Sequence, residues 1–330
     1  MLKSWAKRAL LATKVLPLVA SLRPSAAVIL MYHSVREPEQ DTDWIGPGIT
    51  HATSIFSRQM ELVAQKFSPV SIEDILLFVQ GKKPLPRRTV AITFDDGYLD
   101  NLQFAAPILH RFGLQAAFYL TTDLIGQAGA PWFSQVRQAF FTTRCKSWRS
   151  SGQQRTWDLS TAPARDAALS SAYEQCASLV GEDQRRAVET IKSELEVNSA
   201  LPERRLMMNW EEVRALRNAG HVVGSHTVTH PNVAHVPQEA ARSEFVESKR
   251  RIEEQLQEPV VHFSYPHPAL NPQWTETTST MLGEAGYATA ITTTRGPVRA
   301  GANPLSLKRM HAPRPEDEFL WTLERAFAAS

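Results

Sequence analysis

Residues 89–98 read TVAITFDDGY, a continuous apolar run that leads into two adjacent carboxylates and a glycine. Short, uninterrupted apolar runs rich in β-branched residues are typical of parallel strands that are covered on both faces. The chain contains five further runs of this kind, at residues 27–32, 116–120, 222–224, 260–263 and 288–291. These six runs predict a mainly parallel sheet that is buried within the protein.

Helical patterns separate the predicted strands. Ser71 and Asp74 form a capping box at the start of one helix, and Gly81 ends that helix. Residues 237–257 and 273–285 predict two longer helices. The alternation of strands and helices predicts an α/β fold in which the sheet is either open or closed into a barrel.

The chain divides into a basic N-terminal segment, residues 1–26, and one domain over residues 27–330. Within this domain, residues 131–208 contain no convincing strand pattern, so we expect a helical insertion over one end of the fold. Such an insertion is either a lid or wall for a substrate or a passive elaboration of the fold.

Composition excludes several classes of protein. The 330 residues include 36 Lys and Arg against 34 Asp and Glu, and this net charge of +2 gives no reason to expect a nucleic-acid partner. An apolar fraction of 43% excludes intrinsic disorder. Cys145 and Cys176 are too few for a disulfide scaffold, and without a CxxC pair we expect ordinary thiols.

The first 36 residues contain six Lys or Arg and no acidic residue. Three interpretations remain open: a signal peptide, a basic amphipathic helix that contacts an anionic membrane through residues 1–24, or a solvated helix packed on the domain. The apolar run between Ala9 and Leu22 is interrupted by Lys14 and Pro17, which is atypical of a signal peptide. We therefore expect a cytoplasmic or membrane-peripheral protein rather than a secreted or periplasmic one.

The first chemical signal is the carboxylate pair Asp95 and Asp96, directly after the run 89–94. Active sites of α/β proteins collect at the carboxyl ends of the strands. Burial of two neighbouring carboxylates costs several kcal/mol unless a cation or a shared proton compensates. A metal ion would compensate for that cost. The alternative interpretation is an N-cap pair for the next helix.

The second signal is residues 224–231, GSHTVTHP, which place His226 and His230 four residues apart after another strand. Pro231 disfavours helical geometry at His230, so we expect a looped half-site for a metal such as Zn²⁺ rather than the helical pair of zinc proteases. The alternative is a pair of hydrogen-bonded histidines. Together, two imidazoles and one carboxylate make a three-ligand site with open positions, and the second carboxylate is left as a general base.

These motifs resemble a known family. TFDDGY at 93–98 and HTVTHP at 226–231 resemble the first two motifs of the polysaccharide deacetylases, also called the NodB-homology domain or carbohydrate esterase family 4. LMYHSV at 30–35 and FSYP at 263–266 resemble the branch that acts on bacterial exopolysaccharides such as poly-N-acetylglucosamine. The resemblance covers about residues 27–311 and implies a distorted (β/α) barrel of about seven strands.

The resemblance also implies roles for individual residues. Asp95 would be the catalytic base, and Asp96, His226 and His230 would hold a divalent metal, with Zn²⁺ expected before Co²⁺ or Ni²⁺. A water molecule would attack the acetamide carbonyl of an N-acetylated sugar. A main-chain N–H would help to stabilise the resulting oxyanion, and an acid would protonate the departing amine.

The third motif of the family commonly reads Arg-x-x-Pro-Tyr, whereas residues 263–267 read FSYPH. The arginine that normally orients the base is therefore missing, and the partner of Asp95 is unassigned. The His267 N–H is the expected oxyanion donor, and its side chain is a candidate substrate contact. For the general acid, the candidates are His33 after the first strand and His311 near the last, and we favour His33. A closed barrel brings both positions together.

The sequence thus predicts metal-dependent hydrolytic N-deacetylation of N-acetylhexosamine in a bacterial polysaccharide, oligosaccharide or lipid-linked glycan. One alternative is a carbohydrate O-acetyl esterase that uses the same metal site. Another is a non-catalytic glycan-binding protein of a polysaccharide assembly system, which the altered third motif favours and the intact acids and imidazoles oppose.

Overall fold

The structure is a computed structural model that describes residues 4–13, 15–23, 25–37, 44–127, 129–197, 204–267 and 269–329. Its strands are β1 Ala26–Tyr32, β2 Ser34–Arg36, β3 Thr50–Ala52, β4 Ser68–Pro69, β5 Thr89–Phe94, β6 Ala117–Leu120, β7 Ser147–Ser150, β8 Arg155–Asp158, β9 Val222–Ser225, β10 His262–Ser264, β11 Thr289–Ile291, β12 Val298–Arg299 and β13 Met310–His311.

The α-helices are α1 Ser4–Ala12, α2 Val15–Ser21, α3 Thr53–Lys66, α4 Ile72–Val79, α5 Ala106–Arg111, α6 Trp132–Thr142, α7 Ala162–Ala177, α8 Gly181–Glu194, α9 Trp210–Asn218, α10 Gln238–Leu256, α11 Glu276–Glu284 and α12 Glu316–Ala328. A π-helical segment, Asn101–Ala105, precedes α5, and short 3₁₀ turns occur at Pro47–Ile49, Thr122–Leu124 and Pro304–Ser306.

The main sheet curves into a distorted barrel. Its parallel strands lie in the order β11, β10, β9, β6, β5, β1. Residues 307–311 join the two edges, because Leu307 bridges to Ile291 of β11 while β13 pairs with Leu30 and Met31 of β1. Six strands and this joining segment give the seven that were expected. All six predicted runs contain strands, although the 260–263 run forms its strand two residues later, at β10.

The barrel strands are buried on both faces, as their uninterrupted apolar sequences predict. Every residue of β1 and β5 is buried. On one face, the rings of Phe94 and Phe118 stack with centroids 4.8 Å apart and join the core formed with α3, α10 and α12. The Ser71–Asp74 capping box at the start of α4 is also confirmed. The carboxyl ends of β1, β5 and β9 consequently open on the same end of the barrel.

The insertion at 131–208 contains α6, α7 and α8, but the prediction that it lacks strands is wrong. β7 and β8 form an antiparallel hairpin within it. Only Trp148 and Ser150 of β7 are buried, and β8 contributes no fully buried residue. The sequence of this hairpin therefore resembles that of a polar turn. Trp148 packs edge-on against Phe140 of α6 inside a hydrophobic cluster that the insertion forms for itself.

The N-terminal helices α1 and α2 pack along α12, which matches the third of the three interpretations of this segment. Lys7 Nζ lies 2.6 Å from Glu318 Oε1, and Arg8 Nε lies 3.0 Å from Asp317 Oδ2. Within the described part of the chain, no helix combines the length and apolarity that crossing a membrane requires. Peripheral membrane contact through residues 1–24 stays a prediction.

The close packing of the barrel strands can be tested at Gly224 of β9, just before the loop that carries His226 and His230. A Cβ there would lie 2.6 Å from Tyr119 Cδ1 and 2.8 Å from the His262 carbonyl oxygen. Gly224→Ala should therefore lower the free energy of unfolding by about 1–3 kcal/mol in urea titrations. Gly129→Ala is the control, because its Cβ would meet nothing within 4 Å and the change should stay within about 0.5 kcal/mol. Equal stabilities for the two variants would contradict this packing.

Candidate active site

Asp96, His226 and His230 come together at the carboxyl end of the barrel. Asp96 Oδ1 lies 3.6 Å from His226 Nε2 and 3.4 Å from His230 Nε2, and all three side chains are buried. Their candidate ligand atoms lie within 4.8 Å of one another. Among the described residues, no group donates a hydrogen bond to Asp96 Oδ1, a buried carboxylate oxygen. One carboxylate oxygen and two imidazole nitrogens in this arrangement fit a divalent metal of the Zn²⁺ type.

The orientation of His226 suits a metal ligand. Its Nδ1 lies 2.7 Å from the Ser264 carbonyl oxygen, and this contact makes Nδ1 the protonated nitrogen. Nε2 then presents its lone pair toward Asp96. Burial lowers the pKa of His226 to about 4, so the ring is in the neutral form that metal binding needs near pH 7.

The backbone around these residues adopts unusual conformations. Asp96, Thr227 and His230 have φ values of 75°, 71° and 60°, in the left-handed region that non-glycine residues seldom adopt. Gly97 follows at φ 90°, and a Cβ there would lie 2.9 Å from Ile125 Cδ1. The histidine pair lies in a loop, as Pro231 predicts.

A buried carboxylate fixes the histidine loop. Glu244 of α10 accepts hydrogen bonds from the N–H groups of Val228 at 2.7 Å and Thr229 at 2.9 Å. It also accepts the Thr229 hydroxyl at 2.7 Å. These bonds satisfy two N–H groups of the loop backbone between the two histidines, and so they help to hold both imidazoles in place.

Asp95 has a partner that the sequence did not reveal. Arg309 Nη1 donates to Asp95 Oδ1 at 2.9 Å and Nη2 donates to Oδ2 at 2.5 Å, while Nε donates to the Thr292 carbonyl oxygen at 3.0 Å. Both charged side chains are only 1% exposed. Arg309 thus pairs with the carboxylate that the arginine missing from the third motif was expected to orient. The sequence pattern that could have identified Arg309 is the alternation of side chains along a strand, because Leu307, Arg309 and His311 lie two residues apart and so share one face.

The charge state of Asp95 follows from this pair. Burial alone would raise the pKa of its carboxyl group, but Arg309 and then His226 hold the pKa well below its usual range. Asp95 is therefore ionised near pH 7. Its Oδ2 lies 3.9 Å from His226 Nε2 and 3.9 Å from His33 Nε2, so it faces both the metal site and one candidate acid.

The structure brings both candidate acids to the site. The rings of His33 and His311 lie nearly parallel, with centroids 6.5 Å apart. Burial is the main cause that lowers the pKa of His311 to about 4, and the guanidinium groups of Arg309 and Arg295 act in the same direction. His311 is therefore neutral near pH 7.

The chain on both sides of His33 is fixed by the segment that follows the DDGY motif. Asn101 Nδ2 donates to the His33 carbonyl oxygen at 2.6 Å. Asp100 accepts the Ser34 hydroxyl at 2.6 Å and the Val35 N–H at 3.2 Å. The π-helical turn that begins at Asn101 is the kind of irregularity that occurs at functional sites.

A cleft of about 490 Å³ lies above these groups. His33, Asp95, Asp96, His226, His230, Arg309 and His311 form its polar floor. His267 lies at the exposed rim, where its Nε2 is 3.0 Å from Asn271 Oδ1. The insertion contributes one wall through α6 and α7. The role of the His267 N–H as oxyanion donor stays a prediction.

Residues 82–290 match the family model described as polysaccharide deacetylase. The chain belongs to the polysaccharide deacetylase family. This family consists of hydrolases, and the match includes Asp95, Asp96, His226 and His230. His33, Arg309 and His311 lie outside the matched range, so segments at both ends of the domain contribute to the cleft.

A curated relative is the putative polysaccharide deacetylase YxkH of Bacillus subtilis strain 168, 32% identical over 110 residues. That match spans about a third of each protein, 32% of this chain and 35% of the relative. Among solved structures, Streptococcus pyogenes deacetylase PplD in complex with acetate aligns with a TM-score of 0.60 at 17% identity, covering 92% of this chain and 99% of that one. IcaB from Ammonifex degensii aligns with a TM-score of 0.59 at 16% identity, covering 92% and 99%. These likenesses show a shared fold.

Removal of Arg309 tests the buried pair. Arg309→Met should lower the free energy of unfolding by about 3–5 kcal/mol at pH 7, because it leaves an unpaired carboxylate in the interior. In the native protein the depressed pKa of Asp95 adds stability at pH values above about 3.9, the ordinary pKa of an aspartate. This added stability is lost as the pH falls below that value and through the lower pKa that Asp95 has in the folded protein. In the variant, burial raises that pKa, so the deficit in stability should shrink toward pH 4.

The double variant Asp95→Asn/Arg309→Met is the control for that measurement. It removes both charges and should recover most of the lost stability at pH 7 in urea titrations. A double variant as unstable as Arg309→Met alone would mean that Arg309 stabilises the fold by packing rather than by pairing with Asp95.

Proposed function

We propose that this protein hydrolyses the N-acetyl group of N-acetylhexosamine units in a bacterial polysaccharide, oligosaccharide or lipid-linked glycan, with a divalent metal. The observation that carries this proposal is the juxtaposition of the Asp95–Arg309 pair with Asp96, His226 and His230 on one cleft floor. Membership of the polysaccharide deacetylase family supports it. The similar structures PplD and IcaB support the barrel on which such a site is built.

Asp96, His226 and His230 would hold the metal. Two nitrogen donors and one carboxylate favour Zn²⁺, and Co²⁺ or Ni²⁺ would suit the same donors. When bound, the metal would supply Lewis-acid chemistry, which acidifies a water molecule and polarises the acetamide carbonyl. Three protein ligands leave coordination positions open for that chemistry.

Asp95 accepts the proton of the attacking water. The two hydrogen bonds from Arg309 fix the plane of the carboxylate and keep it ionised. The same pairing makes Asp95 a weak base, because a general base is most effective when its pKa is close to the working pH. Asp95 therefore contributes mainly by its position, and the other groups around the attacking water must lower the pKa of that water.

His33 donates a proton to the departing nitrogen. An amine is a poor leaving group unless it is protonated, so amide hydrolysis needs an acid within reach of the departing nitrogen. His33 Nε2 lies 3.9 Å from Asp95 Oδ2 and lines the cleft, whereas the lowered pKa of His311 leaves that ring without a proton to donate near pH 7. The deacylated sugar then leaves as its amine, together with acetate.

The two alternatives differ in measurable products. An O-acetyl esterase would release acetate from O-acetylated sugars and not from N-acetylglucosamine oligomers. A non-catalytic glycan-binding protein would bind oligomers and release no acetate from either panel. Acetate release from both panels, with chelator and with added Zn²⁺, separates these functions.

The roles of the two adjacent acids lead to a pair of variants. Asp95→Asn should retain one metal ion per chain and lose deacetylase activity by about 100-fold or more, the scale of a lost general base. His226→Ala should lose metal and activity together. Metal content by mass spectrometry and acetate release from N-acetylglucosamine oligomers measure both effects. Loss of metal in Asp95→Asn would show that the base and the ligand are exchanged.

The assignment of the acid is tested with two kinds of substrate. His33→Ala should lower the rate of amide hydrolysis by about 100-fold or more. Hydrolysis of an activated aryl acetate, whose leaving group needs no proton, should change much less. His311→Ala is the matched comparison and should affect the amide reaction less than His33→Ala does. The opposite order of the two histidines would make His311 the acid.

A further inference from the structure

One wall of the cleft consists of two helix faces from the insertion. Phe133, Arg137 and Phe141 recur every four residues on α6, and Leu169 and Tyr173 lie four apart on α7. Residues at this spacing share one face of a helix. All five line the cleft.

This apolar wall begins at the metal site. The ring of Phe133 lies 4.9 Å from the ring of His230, centroid to centroid. Tyr173 donates its hydroxyl to the Phe133 carbonyl oxygen at 3.1 Å. From Phe133 to Phe141, eight residues along α6 at about 1.5 Å each give a wall about 12 Å long. Trp44, Pro47 and Ile49 add further apolar lining to the same cleft.

Phe141 is the outermost aromatic residue of this wall. Its side chain is 49% exposed, although it lines a concave surface. The guanidinium of Arg137 lies 4.3 Å from the centroid of the Phe141 ring and stacks on it. An exposed aromatic group inside a cleft is typical of a surface that a ligand covers.

The chemistry of the wall distinguishes between two occupants, a second sugar and an apolar chain. A second sugar would bring several hydroxyl groups, and those that lie against leucine, isoleucine or phenylalanine would lose water without gaining a hydrogen bond. Among the described lining residues of α6 and α7 beyond Phe133, the charged groups are Arg137 and Asp166, and the Tyr173 hydroxyl already donates to the main chain. An apolar chain loses no hydrogen bond there and gains burial along the full length of the wall.

We propose that the preferred substrate is an N-acetylhexosaminide whose aglycone is a lipid chain. The acetamide lies on the polar floor, and the chain extends along Phe133, Leu169 and Phe141. This inference rests on the proposed function for the position of the sugar, but the apolar wall can be tested without turnover.

The test uses calorimetry on the zinc-loaded protein with two products that carry no acetyl group, octyl and methyl glucosaminide, below the micelle concentration. The octyl compound should bind at least about 50-fold more tightly, because burial of only three methylenes gives that ratio. Equal affinities would overturn the proposal. Tighter octyl binding without acetate release from octyl N-acetylglucosaminide would leave the lipid site intact and contradict the deacetylase function instead.

Variants at one position locate the site. Phe141→Ser should reduce the octyl-to-methyl affinity ratio by about 10-fold, and Phe141→Leu should retain most of the ratio. Val246→Ser is the matched control, because Val246 of α10 is 48% exposed and lies outside the cleft lining. A ratio that survives Phe141→Ser would overturn the assignment to this wall. A glucosamine trimer that binds as tightly as the octyl compound, and loses that affinity in Phe141→Ser, would show a polysaccharide wall instead.

Discussion

The site depends on a buried ion pair between Asp95 and Arg309. Each side chain alone would cost several kcal/mol to remove from water, and two parallel hydrogen bonds between them offset that cost. Asp95 follows β5, whereas Arg309 belongs to the segment that joins both edges of the sheet. The segment that joins the two edges of the sheet therefore also supplies the partner of the Asp95 carboxylate.

The two adjacent acids have opposite environments although they are neighbours in the chain. Both carboxylate oxygens of Asp95 accept a hydrogen bond from Arg309. Asp96 Oδ1, in contrast, receives no hydrogen bond from the described residues and faces two imidazoles. The left-handed backbone at Asp96 turns the second carboxylate away from the direction of the first. A single strand end thus supplies one carboxylate that is paired with a guanidinium and one that faces two imidazoles.

The sequence predicted the features that depend on local pattern. Continuous apolar runs located the strands, and DDGY with HTVTH located the acids and the imidazoles. Arg309 was missed because its meaning depends on a contact 214 positions away along the chain. The β7–β8 hairpin was missed because it buries little beyond Trp148, so its sequence carries hardly any apolar signal. The wall formed by α6 and α7 also needed the fold, since helical spacing alone does not show which face meets the cleft.

The most direct measurement of the metal assignment is X-ray absorption at the zinc edge on protein reconstituted with one equivalent of Zn²⁺. If Asp96, His226 and His230 are the ligands, the spectrum will contain two imidazoles and at least one carboxylate oxygen at about 2.0–2.2 Å, and the His226→Ala protein will retain no zinc after dialysis. For the native protein, a zinc shell that lacks paired imidazoles, or zinc that dialyses away completely, would contradict the assignment.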